Sequence, residues 1–256
     1  MNDEPAVLTE RRDGVLLITL NRPDARNAVN LALAEGVAAA LDELDADADL
    51  AVGVITGAGA GFCAGMDLKA FVTGERPWVG DRGFAGIVQR ASRKPLIAAI
   101  EGFAVAGGLE VALACDLIVA AREAKLGIPE VKRSLVAAGG ALLRLPRRVP
   151  YGVAMELALT GDTITAQRAY ELGLVNRVAE RGGAVDAALE LAAAIAANGP
   201  LALDATKAIL QQQFEWGEEE FWQRQGELSE PVFGSEDARE GAVAFSEKRA
   251  PVWQGR

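Results

Sequence analysis

Val15 to Leu20 reads VLLITL, an apolar run broken only by one threonine, and predicts a buried strand. From Asn30 onward Leu33, Val37, Leu41 and Leu44 recur at three- and four-residue intervals, the spacing of one helix face. A second apolar run, Ala51 to Thr56, ends in a glycine-rich loop. The alternation resumes with a strand at Leu96 to Ile100, a helix beginning near Gly107 and a strand at Leu117 to Ala120. Strands alternating with helices predict an α/β architecture with largely parallel pairing.

Beyond about Pro150 the pattern turns helical, over Tyr151 to Leu159, Ala166 to Leu172, Ala184 to Ala197 and Leu201 to Gln213. Only Leu174 to Val178 interrupts it with a short strand-like segment. No Pro/Ser-rich linker divides the chain, so a core with a packed helical extension is expected rather than independent domains.

At 256 residues, half of them hydrophobic, the chain can build a sizeable core. No stretch approaches the roughly 20 apolar residues that span a bilayer, and the opening MNDEPAVLTERRDG lacks the order of a secretory or transit signal. A cytoplasmic location with no membrane partner is the expectation. Cys63 and Cys115 do not make a disulfide framework and are expected as reduced, buried thiols. A net charge of -10 argues against nucleic acid as a partner.

Histidine is absent from the sequence. A Ser-His-Asp triad, a Cys-His pair and the usual His-bearing zinc sites are thereby excluded, and no metal site is expected. Proton chemistry near neutral pH would fall to carboxylates of raised pKa, with Lys, Tyr or Cys as substitutes.

Glycines cluster where two apolar strands end, in TGAGAGFCAGMDLK (Thr56 to Lys69) and EGFAVAGGLE (Glu101 to Glu110). Such strand-to-helix turns expose backbone N–H groups and let a substrate oxygen approach without a Cβ in the way. The N–H groups of Met66 and Gly107 are therefore candidate donors to an oxygen that gains charge; two ordinary glycine turns would look the same. Neither turn has the dinucleotide G-x-G-x-x-G spacing with a suitably placed acid.

Glu110 falls in the first turn of the helix that Gly107 opens, and Glu130 follows Pro129 after the apolar Leu126 to Ile128. A favourable helix dipole explains the first equally well, and Pro-Glu commonly opens a helix.

These segments resemble the enoyl-CoA hydratase/isomerase, or crotonase, superfamily. IAAIEGFAVAGGLEVALACDL (Ile97 to Leu117) is similar to its signature and FCAGMDLK to its first oxyanion-loop motif. Likeness also runs from NRPDARNAVN (Asn21 to Asn30) through LTGDTITAQRAYELGLVNRV (Leu159 to Val178) to AFSEKRAPVWQGR (Ala244 to Arg256), nearly the whole chain.

The resemblance implies a crotonase-type spiral of ββα units over residues 1–195 and a helical region for oligomerisation over 196–256. Met66 and Gly107 match the oxyanion-hole amides, and Glu110 and Glu130 the two catalytic glutamates, twenty positions apart. Coenzyme A, carried by the substrate and not a separate cofactor, would lie near Ala25, Arg26 and Ala28, with Ala64, Asp67, Leu68 and Lys69 also in contact. Phe245 and Lys248 would reach a neighbour's ligand in a homotrimer or hexamer. The implied reaction is addition of water to a trans-2-enoyl-CoA. A 3-enoyl to 2-enoyl isomerase is the rival, and a noncatalytic acyl-CoA-binding or scaffolding subunit stands further off. Two departures bear on the pocket. Ser134 to Ala138 replaces a Gly- and Pro-containing loop, and Met66 is larger than the small residue common there.

Overall fold

The computed structural model describes residues 4–256. A six-stranded sheet forms its centre, built from β1 (Val7–Arg12), β2 (Val15–Leu20), β3 (Val52–Gly57), β6 (Leu96–Ile100), β8 (Leu117–Ala121) and β11 (Arg177–Ala179), adjacent in that order. All neighbouring pairs are parallel except β1 with β2. The β2, β3, β6 and β8 runs were read from their apolar character, and such runs mark strands covered on both faces. Leu16, Ile18 and Leu20 join the large core cluster on one side, whereas Val15 and Leu17 join Val52, Val54, Ile97 and Val119 on the other.

The first side is covered by α1 (Leu31–Ala46), whose Leu33, Val37, Leu41 and Leu44 are buried as the periodicity predicts. Asn30 caps it by accepting from the Leu33 N–H at 3.1 Å. Burying each of these side chains contributes about 1.5–3 kcal/mol. The second side is covered by α7 (Ala184–Ala196), which lays Ala184, Ala188 and Ala192 flat on the sheet. Its N-terminus is held by Glu101 Oε1, which accepts from the Gly182 and Ala184 N–H groups.

A three-stranded sheet stacks beside the first, in the order β10 (Ile164–Thr165), β9 (Lys125–Gly127), β7 (Phe103–Val105). After β6 and again after β8 the chain turns sharply into a strand of this small sheet. These ββ corners bring the chain to α3 (Gly107–Ala114) in one case and to a 3-10 turn at Pro129–Arg133 in the other. The helices α4 (Ala141–Arg148), α5 (Tyr151–Thr160) and α6 (Ala166–Glu171) follow, then after α7 the last three, α8 (Pro200–Gln212), α9 (Glu218–Phe233) and α10 (Glu236–Glu247). Between β3 and β6 lie a short helix α2 (Leu68–Val72) and a two-stranded ribbon of β4 (Trp78–Val79) and β5 (Gly83–Phe84).

The strand expected at Leu174 to Val178 is confined to Arg177–Ala179; Leu174 and Val175 are buried as core side chains before it. β1 lies outside the apolar-run reading because VLTERR is an exposed, charged edge strand. Its pairing is set by the Asp13-Gly14 turn, both residues at positive φ, the conformation of a two-residue hairpin.

Candidate active site

The segment carrying Met66 runs between two others. Gly65 O accepts from the Val29 N–H at 2.8 Å and Val29 O accepts from the Asp67 N–H at 2.9 Å on one edge; on the other, Phe62 N–H donates to Phe103 O and Val105 N–H to Cys63 O. In a trans peptide the N–H lies opposite the preceding C=O. With Gly65 O turned toward Val29, the Met66 N–H therefore faces the other way, and it has no acceptor among the described residues.

The same geometry applies at Gly107. Ala106 O accepts from the Leu109 and Glu110 N–H groups inside the first turn of α3, so the Gly107 N–H projects outward from the helix end. A Cβ on Gly65 would stand 2.9 Å from Gly107 N, and one on Gly107 would stand 2.7 Å from the Phe84 ring. The two turns thus touch through glycine, as two facing turns require. Ala106, between them and the strand, holds φ 53 and ψ -133, a conformation usual only for glycine.

Glu110 is 4 % exposed and its Oε1 accepts from the Ala141 N–H at 3.2 Å. Burial raises its pKa to about 6, with the neighbouring Glu130 pushing in the same direction; the amides of Ala141 and Gly139 and the Arg144 charge oppose them. Gly139 leaves room beside it, because a Cβ there would press on Glu110 Oε2 and force the carboxylate to shift. Glu130 sits in the 3-10 turn after Pro129 and is half-buried. Burial raises its pKa as well, against the pull of its own backbone amide and Arg133. Its Oε2 is buried with no hydrogen-bond partner among the described residues, which leaves it free to meet a substrate or water in the cavity.

Both glutamates, Met66 and Gly107 line one cavity of about 410 Å³, together with Arg26, Ala64 and Leu68. Of the other residues singled out by resemblance, Asp67 does not line it. Its carboxylate pairs with Arg22 at 3.0 Å and caps α2 through the Lys69 and Ala70 N–H groups, which fixes the loop behind Met66. Lys69 is exposed outside the cavity, and Ala25 and Ala28 lie in the adjoining turn. Phe245 and Lys248, at the end of α10, are exposed and do not line this chain's cavity.

The cavity also contains Phe71, Trp78, Phe84, Arg133, Leu135 and Val136, none of them named as site residues from the sequence. The first three come from the stretch between β3 and β6, and the last two from the departure at Ser134 to Ala138. Ser134 there takes a left-handed conformation at φ 55, one that glycine adopts more readily. The segment thus supplies two apolar side chains to the cavity wall.

The model of the family described as "Enoyl-CoA hydratase/isomerase" matches residues 10–256. Enoyl-CoA hydratase EchA19 of Mycobacterium tuberculosis is 45% identical, over 98% of this chain and 97% of its own. Carnitinyl-CoA dehydratase of Proteus mirabilis is 42% identical over 96% and 97%. A crystal structure of an enoyl-CoA hydratase from Mycobacterium tuberculosis superposes with a TM-score of 0.97 at 58% identity, covering 99% of this chain and all of that one. With a family match over nearly its whole length and full-length relatives above 40% identity, the chain belongs to the enoyl-CoA hydratase/isomerase family.

Proposed function

We propose that the chain is an enoyl-CoA hydratase that adds water reversibly across the double bond of a trans-2-enoyl-CoA to give a 3-hydroxyacyl-CoA. The observation that carries this reading is the meeting, in one cavity, of two raised-pKa glutamates and two backbone amides with no acceptor among the described residues. Full-length relatives named hydratase and dehydratase support it.

The thioester oxygen accepts from the Met66 and Gly107 N–H groups, which stabilise the negative charge it gains as water attacks. Glu110, with a pKa of about 6, is largely ionised at pH 7 and takes a proton from the water whose oxygen bonds to C3. Glu130, whose buried Oε2 favours the protonated form, gives its proton to C2. One proton leaves water and one reaches carbon, so the double bond gains H and OH in balance. Coenzyme A enters as part of the substrate, and no further cofactor is required by this scheme.

The same proposal includes assembly into trimers or hexamers in the cytoplasm, with coenzyme A near Ala25, Arg26 and Ala28. Exposed Trp222, Phe233 and Phe245 on the last helices support the assembly.

The test is incubation with a panel of 2-enoyl-CoAs in isotopically labelled water, read by mass spectrometry. Label in the 3-hydroxyl is expected. Conversion of 3-enoyl to 2-enoyl thioesters without label uptake would replace the hydratase reading with the isomerase one. Glu110→Gln and Glu130→Gln are each expected to lose about two orders of magnitude in hydration rate, with near-wild-type turnover in either sinking the two-acid scheme.

A further inference from the structure

The ribbon of β4 and β5 supplies Trp78 and Phe84 to the cavity, and Phe84 does more than line it. A Cβ on Gly107 would stand 2.7 Å from the Phe84 ring, so the ring rests on the backbone of the residue whose N–H is the second donor to the thioester oxygen. Phe84 is 4% exposed, and Trp78 packs on it edge to face with ring centres 5.3 Å apart. Any displacement of the ribbon is transmitted through this close-packed contact to the Gly107 amide.

The turn of the ribbon, Gly80–Arg82, is flanked by Gly80 and Gly83 at positive φ and restrains itself little. Arg82 supplies the restraint. Its Nη2 donates to Asp42 Oδ1 on α1 at 2.5 Å, and its Nη1 donates to Arg90 O at 3.0 Å and Ala91 O at 3.2 Å. Arg82 O accepts from the Gln89 N–H at 3.0 Å, so one residue ties the turn both to the helix and to the returning chain. Asp45, 3.9 Å from the guanidinium, anchors the next stretch by accepting from the Ser92 hydroxyl and from the Arg93 and Lys94 N–H groups.

This tether is costly. The Arg82 side chain is 3% exposed and its Nε is buried with no hydrogen-bond partner among the described residues, whereas Asp42 stays 66% exposed. A buried cation facing a hydrated carboxylate gains little over leaving both in water. An apolar side chain of similar length would fill the same space without an orphaned donor. What the arginine adds is direction, because its planar fork fixes three acceptors at once.

We infer that Arg82 is a positioning residue for the reaction, holding the ribbon so that Phe84 sets the Gly107 amide where the thioester oxygen binds. The inference rests on the hydratase reading for its kinetics and on the cavity geometry alone for its spectroscopic test.

The experiment compares the parent with Arg82→Met, Arg82→Lys, Asp42→Asn, and Phe84→Leu with and without Arg82→Met. Hydration kinetics are read beside the infrared carbonyl stretch of bound butyryl-CoA, a saturated thioester, isotope-labelled at the carbonyl. Donors on the oxygen weaken the C=O bond and lower that stretch. Arg82→Met is expected to melt no lower than the parent, yet to lose at least about tenfold in kcat while KM moves less than about threefold. Its carbonyl stretch should return toward the free value by at least about half of the parent's lowering. Arg82→Lys keeps the charge without the fork and should recover only part of the loss. In the Phe84→Leu background, Arg82→Met should cost less than about a further twofold, because the path to Gly107 is already broken. A lower Tm with kcat and stretch unchanged would make Arg82 a structural residue and overturn the inference, and full additivity with Phe84→Leu would overturn the route through that ring. Should Arg82→Met fail to fold, the exposed Asp42→Asn decides: a loss of about threefold in kcat with a raised stretch upholds the inference, and parental values of both refute it. A parent that lowers the stretch but hydrates no enoyl thioester would refute the hydratase reading and leave the positioning role to the stretch. Variants that share the parent's stretch refute that role whatever the turnover.

Discussion

Glu110 is nearly inaccessible to solvent and is held by backbone amides of the turn ahead of α4, so its protonation is tied to both rate and stability. Its folded-state pKa of about 6 lies above the ordinary 4.5. The folded chain therefore binds this proton more tightly, and the associated stability is present below about pH 4.5 and lost as pH rises through 6. The loss amounts to about 2 kcal/mol. Glu110→Gln removes the titration, so its Tm is expected to exceed that of the parent at pH 7 and to converge with it near pH 4; a constant offset at both pH values would contradict the shift. As the proposed base must be ionised, kcat/KM should fall about tenfold per pH unit below 6, and an acid limb lying below pH 5 would remove Glu110 from that role. At the two turns, Met66→Ala keeps the amide and should change activity only modestly. Gly107→Pro removes the N–H and should abolish turnover in a protein shown to be folded. Damage from Met66→Ala as severe as from the proline would bring the side chain into the chemistry.

At the scale of elements, the junction of α3 and α4 is where position becomes chemistry. α3 carries Glu110 and is buried along its whole length, while the Gly139–Ala141 turn before α4 supplies the amides that its carboxylate accepts. Gly139→Ala would insert a methyl against Glu110 Oε2. It is expected to preserve the circular dichroism spectrum while lowering kcat at least about tenfold and moving the acid limb of the pH profile; wild-type values for both would show that the carboxylate has room to adjust. This junction was only half legible in the sequence. β2, α1, β3, β6, α3 and β8 could be read to within a residue or two because apolar runs and a 3.6-residue period encode them directly. α4 departs from the usual pattern: Leu142 and Leu143 are exposed, whereas Arg144 donates to Val88 O and Arg148 to Leu113 O and Cys115 O at the end of α3. A periodic pattern does not reveal a helix that half-buries two of its arginines beside only Ala141 and Leu145. β7 and β9 are three residues each and exist through their pairing with one another, a tertiary fact. The glutamates and glycine turns stood out because they fall within motifs that resemble the family's, each having an ordinary structural explanation when taken alone. Phe71, Trp78 and Val136 did not, because apolar residues look the same whether they line a cavity or fill a core.

Across the whole molecule, burial is uneven. The buried hydrophobic side chains all lie ahead of α8 except Ala244, while α8 and α9 contain no buried residue and α10 only Asp237 and Ala244. α8 is anchored chiefly by polar links, with Lys207 Nζ and Gln211 Nε2 donating to Asp116, whose Oδ2 also accepts from the Leu96 N–H. Asp237 holds the chain end through the Gln254 and Gly255 N–H groups. Among the charged residues on the outside of these helices stand large apolar ones: Leu210, Phe214, Trp222, Phe233 and Phe245 are each at least 58% exposed. Exposed aromatic side chains concentrated on one region imply an interface, and the proposed trimer supplies it. If Phe245 and Lys248 then complete a neighbour's ligand site, activity and assembly must fall together. Phe233→Glu, at a position 76% exposed in the single chain and outside the cavity, places a charge in that interface without touching the glutamates. Sedimentation is expected to show a smaller species than the parent, with a spectrum still folded, and kcat/KM at matched concentration should drop at least about tenfold. A dissociated variant that hydrates at the parent's rate would show that each chain holds a complete site, and an undissociated one would place the interface elsewhere on the helical surface.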